Sequence, residues 1–439
     1  MMQRIKILLS NNNPRFLLLN SAFILLLITI LYKLVMRILV PNTYDSFWIS
    51  EFLINYQGGF VRRGLLGEIL YFLVRHFNFD VLLTILIICL TSYSILAIFF
   101  VKSFLKRGYT LYILPLCFFM GALILNNTDI IRKDSLMVCF FVAMLWIYGK
   151  NGLSTLLKVL FINILAVFII LTHEVFVFFS IPLFFLLFKA LYREKGKYQS
   201  IVLSAVSLLP SILTFFIVII KHGNQATAQA IWDSWTAILN QAPSIVKYRN
   251  AIGALGWDSK WAFAFHFKQN FLIFNENIYS MFAWSIILPA VYYIATNALW
   301  AFRKNENDYT DRTKSVLSSL LIFQFLCLLP LFTVLSCDYM RVMFYCVTSS
   351  FAVLILVPTD TIERLIPSFF SRIINRINNY LSIVLPPTKT TLALLMLFIG
   401  MSAYSFDIMY IVRSTMIYNI LLTMSYSLSV IIKFLSFLF

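Results

Sequence analysis

Residues 80–101 read DVLLTILIICLTSYSILAIFFV, and after Asp80 this stretch contains no charged side chain. A helix rises about 1.5 Å per residue, so a run of this length crosses the ~30 Å hydrocarbon core of a bilayer. Comparable apolar runs cover 16–40, 109–126, 135–149, 153–171, 175–190, 199–220, 279–302, 315–336, 342–358, 390–412 and 416–438. The sequence therefore predicts an all-α, polytopic membrane protein, a single integral membrane domain over 1–439 with about twelve transmembrane helices.

The composition supports the same class. Hydrophobic residues make up 61% of the 439 residues and charged residues 12%, whereas a soluble domain carries about 25% charged residues. The mean hydropathy is +0.87. The net charge of +17 would suggest nucleic acid in a soluble protein, but here the basic residues cluster in short connections between apolar runs. That distribution follows the positive-inside rule, so we expect membrane lipids as partners and no nucleic acid.

The basic clusters predict which connections face the cytoplasm. They lie in the N-terminal MMQRIK, at 102–107, 189–197 and 303–314, and in the connection 359–389. Twelve crossings place all of them, and both termini, in the cytoplasm, provided that 65–79 does not cross. That segment is short and carries Arg75 and His76, which favours an interfacial helix. Residues 41–79 are then a first outer (periplasmic) loop followed by an interfacial helix, and 221–278 is a long outer loop.

The first outer loop carries an unusual set of charges. It reads PNTYDSFWISEFLINYQGGFVRRG over 41–64. Arg62 and Arg63 are candidate phosphate ligands, because guanidinium groups are always charged and offer forked donors. The pair Gly58 and Gly59 permits close backbone approach to a ligand. Asp45 and Glu51 are candidate carboxylates of the same loop. Alternatively, the loop is an aromatic interfacial belt with snorkelling arginines.

Two tight outer turns hold further candidates. NNTDIIRKDSLM, 126–137, contains Arg132 and Lys133, a second candidate phosphate clamp, while Asp134 could cap the following helix. LTHEVF, 171–176, holds His173 and Glu174 between two apolar runs. Ionisable groups at membrane depth usually face a cavity or a partner, and imidazole titrates near neutral pH, so His173 is a candidate proton shuttle or a hydrogen-bonded turn residue.

Two later segments complete the set. SCDYMRVMFY, 336–345, places Asp338 and Arg341 three residues apart, where they could pair on one helix face or serve an external anion. The outer segment 221–278 contains Arg249 and several aromatic residues that could stack on a ligand. These are His222, Trp232, Trp235, Trp257, Trp261 and His266. We expect no metal site and no cofactor, because no ligand spacing typical of zinc is present.

The order of these elements resembles bacterial polysaccharide polymerases of the Wzy type, especially their EpsG-like branch. The resemblance rests on the outer RR, IIRKDSLM, THEVF and DYMRVMFY, with Arg132, Arg341 and His173 at family-like positions. It implies an enzyme of the bacterial inner membrane that polymerises undecaprenyl-diphosphate-linked oligosaccharides into O-antigen or capsular polysaccharide at the periplasmic face. A chain-length regulator and a flippase are the partners that such a function implies.

Two alternatives stay open. A GT-C glycosyltransferase that uses a polyprenyl-phosphate sugar would place a catalytic carboxylate, Asp45 or Glu51, in the first outer loop before an interfacial helix. A lipid-linked oligosaccharide flippase is the other, although transport predicts polar residues at mid-membrane depth. For glycosyl transfer, we expect arginines to hold the diphosphate. The predicted base is His173, with Asp338 second and Asp45 or Glu174 as further candidates.

Overall fold

The computed structural model describes residues 47–108, 131–239, 250–271, 277–301 and 311–399, together with separate residues between 412 and 425. Across these ranges every regular element is helical, which confirms the all-α prediction for the described part of the chain. The predicted spans 16–40 and 109–126 lie outside the described residues, as do Asp45 and Arg249, and only separate residues of 416–438 are described.

The first helices in the described chain are α1 (Phe47–Phe52), α2 (Gly64–Phe77), α3 (Val81–Lys106), α4 (Asp134–Tyr148), α5 (Thr155–Thr172) and α6 (Phe176–Leu191). They are followed by α7 (Lys197–Ser207), α8 (Leu209–Ile220), α9 (Gln225–Leu239), α10 (Asn250–Gly253), α11 (Ser259–Phe271) and α12 (Asn277–Ala301). The last are α13 (Asp311–Thr333), α14 (Tyr339–Leu356), α15 (Thr359–Leu365), α16 (Ser368–Val384) and α17 (Lys389–Phe398), and short 3-10 turns cover Arg193–Lys195 and Ala254–Gly256.

Several helices are long and apolar enough to cross a membrane. In the described chain these are α3, α5, α14 and Arg312–Thr333 of α13. The predicted span 199–220 is instead the pair α7 and α8, which meet at an angle of 47° and count as a fifth span if they cross together. Pro210 follows the bend, and a proline cannot donate the hydrogen bond that would continue α7. The helices α4 and α6 are apolar but shorter. The count of twelve stays a prediction.

The segment 65–79 forms its own helix, α2, rather than a span. Leu66, Leu70 and Val74 are buried on one face, while Phe72 and Phe77 are exposed. Gly67 packs so closely on the preceding chain that a Cβ there would lie 1.9 Å from the carbonyl oxygen of Ile54. This contact ties the helix to the first loop.

Most of the described part of the long segment 221–278 is helical, in α9, α10 and α11. Its place as a long outer connection between spans stays a prediction. Trp232 and Trp235 are buried, and the indole Nε1 of Trp235 donates a hydrogen bond to the carbonyl oxygen of Leu53 at 2.6 Å. These two tryptophans therefore pack against the first loop and do not stack on a ligand. Trp257 and Trp261 remain exposed.

The connections between helices fall into two groups, one at each end of the helices, as the positions of the basic clusters predicted. At one end, Arg107 donates hydrogen bonds to the carbonyl oxygens of Leu354 and Ile355, and Arg312 pairs with Asp360 and Glu363. The connections 102–107 and 359–389 thus meet the start of α13 there. The segments around residues 63, 133, 173 and 341 meet at the opposite ends of the helices, where Arg63 pairs with Glu174 and Arg341 with Asp134. Which end faces the cytoplasm stays a prediction.

Candidate functional site

A cluster of ionisable residues joins five segments that are far apart in sequence. The segments are α1, the turn before α2, the start of α4, the turn between α5 and α6, and the start of α14. We call it the charged cluster, and its members are Glu51, Arg62, Arg63, Arg132, Lys133, Asp134, His173, Glu174, Asp338 and Arg341. Most of these residues were predicted from the sequence as site residues, and the fold brings them together.

Arg63 is the centre of one half of the cluster. Its backbone is left-handed, with φ 64°, which is uncommon for a residue with a side chain and directs the guanidinium inward from the turn before α2. Nη1 lies 2.9 Å from Glu51 Oε1, while Nε and Nη2 both contact Glu174, the latter at 2.6 Å. Burial alone would lower the pKa of Arg63, but the two carboxylates outweigh it and raise that pKa. Arg63 is therefore a cross-link between two carboxylates.

The two carboxylates respond in the opposite sense. Burial acts to raise the pKa of Glu51, but His173, Arg341 and Arg63 together hold it well below its ordinary value. The pKa of Glu174 is likewise lowered, with Arg63 as the largest opposing influence to burial. Both side chains are thus carboxylates at neutral pH and hold the arginine by charge as well as by geometry.

Arg341 occupies the other half of the cluster. Its Nε donates to Asp134 Oδ1 at 2.5 Å and to the hydroxyl of Tyr345 at 3.0 Å. The Tyr345 hydroxyl in turn donates to Asp134. Asp134 is fully buried, so it holds Arg341 inside the protein rather than serving only as a helix cap. Part of the Arg341 fork is therefore already occupied by a protein carboxylate.

His173 lies between the two halves, and its contacts compete for one ring nitrogen. Nε2 is 3.0 Å from Glu51 Oε1 and 2.7 Å from Arg341 Nη2, while Nδ1 accepts a hydrogen bond from the Val175 amide at 3.3 Å. A proton on Nε2 satisfies Glu51 but opposes the arginine, and a proton on Nδ1 does the reverse. Burial first, then Arg63 and Arg341, lower the pKa of His173 to about 4, so the ring is neutral near pH 7.

Arg132 and Lys133 are also built into the fold. The guanidinium carbon of Arg132 lies 3.4 Å from the ring centre of Trp48, and Nη1 is 3.7 Å from Asp338 Oδ2. The Lys133 ammonium group donates at 3.3 Å to the carbonyl oxygens of Arg63 and Thr172. Lys133 is fully buried, and burial lowers its pKa to about 8. The side chains of Arg132 and Lys133 therefore bind to groups of the protein itself and lie on the buried side of the cluster.

Only part of the cluster reaches the surface. The exposed fraction of the side chain is 30% for Arg62, 20% for Arg63, 14% for Glu174, 13% for Asp338 and 10% for Arg341. We call these five residues the rim. His173 and Glu51 are at or below 1%. A ligand from solution would therefore meet the rim first, and His173 would act on it only through its neighbours.

Arg62 is the rim cation with the weakest internal pairing. Its backbone amide donates to the carbonyl oxygen of Lys221 at 3.0 Å, which fixes its position. Its closest carboxylate contact is Nη1 to Glu174 Oε1 at 3.9 Å, and its buried Nε has no hydrogen-bond partner among the described residues. Burial, then Arg63, lower the pKa of Arg62 from its very high ordinary value. Arg62 therefore has donors available for an external acceptor.

The charges of the cluster do not cancel. Its cations are Arg62, Arg63, Arg132, Lys133 and Arg341, and its carboxylates are Glu51, Asp134, Glu174 and Asp338. With His173 neutral, one positive charge remains in excess. A site of this kind attracts an anion and places carboxylates beside it.

Gly58 and Gly59, which were predicted to let the backbone approach a ligand, have structural roles in the turn before Arg62. A Cβ at Gly58 would lie 2.6 Å from the carbonyl oxygen of Thr227, so the close backbone approach is made by α9. Gly59 has φ 97°, a left-handed value that allows the turn before Arg62. Their predicted role in ligand binding stays a prediction.

Sequence reasoning missed Tyr345 and Trp48 as neighbours of the cluster, and it interpreted Asp134 only as a cap. Tyr345 is four residues after Arg341 and so shares its helix face, a signal that was available. The stacking of Trp48 on Arg132 joins segments that no local pattern connects. In the described ranges, no group of three or more His, Cys, Asp or Glu residues is placed to hold a metal ion.

Comparison with known proteins places the chain among membrane proteins without assigning an activity. Residues 18–230 match the model of a family described as "Uncharacterised membrane protein Rv1490". No curated protein and no solved structure matches the chain. Together with the apolar helices, the match supports a multi-pass membrane protein, and the charged cluster is built partly inside the matched range and partly, through Asp338 and Arg341, beyond it.

Proposed function

We propose that this protein is a membrane glycosyltransferase that polymerises undecaprenyl-diphosphate-linked oligosaccharides at the outer face of the bacterial inner membrane. The observation that carries the proposal is the rim. In the rim, the cation Arg62 has donors available, and the positive charges exceed the negative ones by one. The rim also contains two partly exposed carboxylates, Glu174 and Asp338, which lie at the ends of apolar helices.

The chemistry of glycosyl transfer requires these two kinds of group. When the bond between the sugar and the lipid diphosphate breaks, negative charge develops on the leaving phosphate oxygen, and a preorganised cation stabilises it. Arg62 is suited to this role, while Arg63 and Arg341 are held in place by Glu51, Glu174 and Asp134 and add to the positive field.

Transfer also requires a group that accepts the proton of the attacking hydroxyl. The first choice from the sequence, His173, is fully buried and shared between Glu51 and Arg341. We therefore assign His173 a positioning role. The pKa of Glu174 is held low by Arg63, which makes Glu174 a weak base, and Asp338 is the other rim carboxylate that can assist the proton transfer.

A second candidate is a GT-C glycosyltransferase that adds one sugar from a polyprenyl-phosphate donor. Glu51, a carboxylate of the first loop followed by the separate helix α2, favours it. Glu51 is only 1% exposed, however, and its one contacted oxygen is held by Arg63 and His173. The flippase has less support, because the charged cluster lies at helix ends.

The test is the surface glycan of a deletion strain, complemented with variants at matched expression. Wild type should restore long polysaccharide, while the deletion strain should display single repeat units. Arg62→Lys keeps the charge but not the fork, and we expect a loss of about ten-fold or more, as for one charge-assisted hydrogen bond of about 1.5–3 kcal/mol. The control is Arg75→Lys on the exposed face of α2.

Each outcome distinguishes one function. A glycan that lacks one sugar or branch would favour the GT-C alternative, and a strain without any surface units would favour the flippase. The proposal for this site would be wrong if the deletion left the glycan unchanged. It would also be wrong if Arg62→Lys made as much long polysaccharide as wild type and the control Arg75→Lys.

A further inference from the structure

The helix α11 is fastened to the rim through Asn270. Its side-chain amide donates hydrogen bonds to the carbonyl oxygens of Thr333 at 2.7 Å and Ser336 at 2.8 Å, and Asn270 is buried. The hydroxyl of Ser336 in turn accepts a hydrogen bond from the backbone amide of Asp338 at 3.0 Å. One end of α11 is thereby held against the turn that carries Asp338.

His266 lies one turn before Asn270 and so shares the helix face that meets this turn. It is partly exposed, unlike His173, and its Nδ1 is buried without a hydrogen-bond partner among the described residues. Oδ1 of Asp338 is likewise buried without one. Buried polar atoms normally have partners, and Asp338 lies near enough to His266 to influence its charge, so these two atoms are available to a bridging group.

From this juxtaposition, and resting on the proposed function, we propose that His266 is the base that deprotonates the acceptor sugar hydroxyl, and that Asp338 stabilises the resulting imidazolium. The hydroxyl proton moves to Nε2 of His266, because Nδ1 is buried, as the hydroxyl oxygen forms its bond to the anomeric carbon. The bond from that carbon to the lipid phosphate breaks, and its electron pair stays on the phosphate oxygen, next to Arg62.

The electrostatic surroundings of His266 agree with this role. Burial lowers the pKa of His266, and Asp338 opposes that effect, so the ring is neutral before reaction and its protonated form has a carboxylate nearby. The helices packed on α11 present no Asp, Glu, Lys, Arg or His along 282–297 and 317–333. Cys337 is neutral, because burial raises its pKa to about 12, and Lys260 and Lys268 lie on α11 itself.

The pairing can be measured without any substrate. Diethyl pyrocarbonate modifies neutral imidazole, so its rate at His266 in the full-length protein in detergent, followed by peptide mass spectrometry against pH, reports the pKa of that ring. We expect Asp338→Asn to move the midpoint to lower pH. Asp258→Asn, which removes a charge at the start of α11, should leave it unchanged. His173, which is fully buried, should stay unmodified.

The catalytic part is tested in the complemented deletion strain. We expect His266→Gln to reduce long polysaccharide by about 10²–10⁴-fold, the usual contribution of a general base, while His222→Gln has little effect. An unshifted midpoint in Asp338→Asn would overturn the pairing, and normal polysaccharide from His266→Gln would overturn the assignment of the base. If the deletion itself did not alter the glycan, the proposed function would fail, whatever the modification rates showed.

Discussion

Replacement of Arg63 by alanine should strongly destabilise the protein. Arg63 contacts Glu51 at 2.9 Å and Glu174 at 2.6 Å, and its side chain is only 20% exposed. Removing one partner of a buried ion pair leaves an uncompensated charge and costs about 3–5 kcal/mol. We expect the lower part of this range, because Arg62 remains 3.9 Å from Glu174. At about 2 °C per kcal/mol, the melting temperature should fall by roughly 6–8 °C.

The assay is the loss of the monodisperse size-exclusion peak after heating in detergent. The control is Arg312→Ala, because Arg312 also makes a fork, to Glu363 and Asp360, but on an exposed surface where ion pairs contribute little. Adding Glu174→Gln to Arg63→Ala should recover part of the loss by removing the unpaired carboxylate. Equal melting temperatures for Arg63→Ala and Arg312→Ala, or no recovery in the double variant, would refute this account of the cluster.

Three further changes have defined outcomes. Gly67→Ala should destabilise the protein by about 1–3 kcal/mol or more, since a Cβ there would lie 1.9 Å from a backbone oxygen, whereas Gly152→Ala, with open space around it, should be neutral in the same heating assay. The pKa of His173 is lowered to about 4 in the folded protein, so as the pH falls the imidazole becomes protonated in the unfolded chain before it does in the folded one. The stability should therefore fall as the pH drops from about 6.5 toward 4. In His173→Gln, the melting temperature should depend less on pH over that window. Tyr345→Phe removes the hydroxyl that donates to Asp134 and should lower stability by about 1–3 kcal/mol, and an unchanged melting temperature would contradict that hydrogen bond.

The helical class and the segregation of the helix ends were predictable from composition and charge. A run such as 80–101 forms a helix because backbone groups in a bilayer must pair within the segment, and α3 covers it. The bend between α7 and α8 and the helices of 221–278 were harder to predict. A span that contains Pro210 has the same hydropathy whether it is straight or bent, and α9 is stabilised by its contact with the first loop rather than by its own pattern.

By itself, the sequence determined which residues could form a site: it places Arg62, Arg63, Arg132, His173 and Arg341 in turns on one side of the predicted membrane topology. Only the tertiary structure decided what each of them contacts. The distance between Arg63 and Glu174, or between Arg341 and Asp134, depends on how α2, α4, α6 and α14 pack, and residues 111 or 207 positions apart share no local pattern. Packing therefore assigned most of these cations to protein carboxylates and left Arg62 at the rim, because a charge can be buried in a membrane protein only when it is paired.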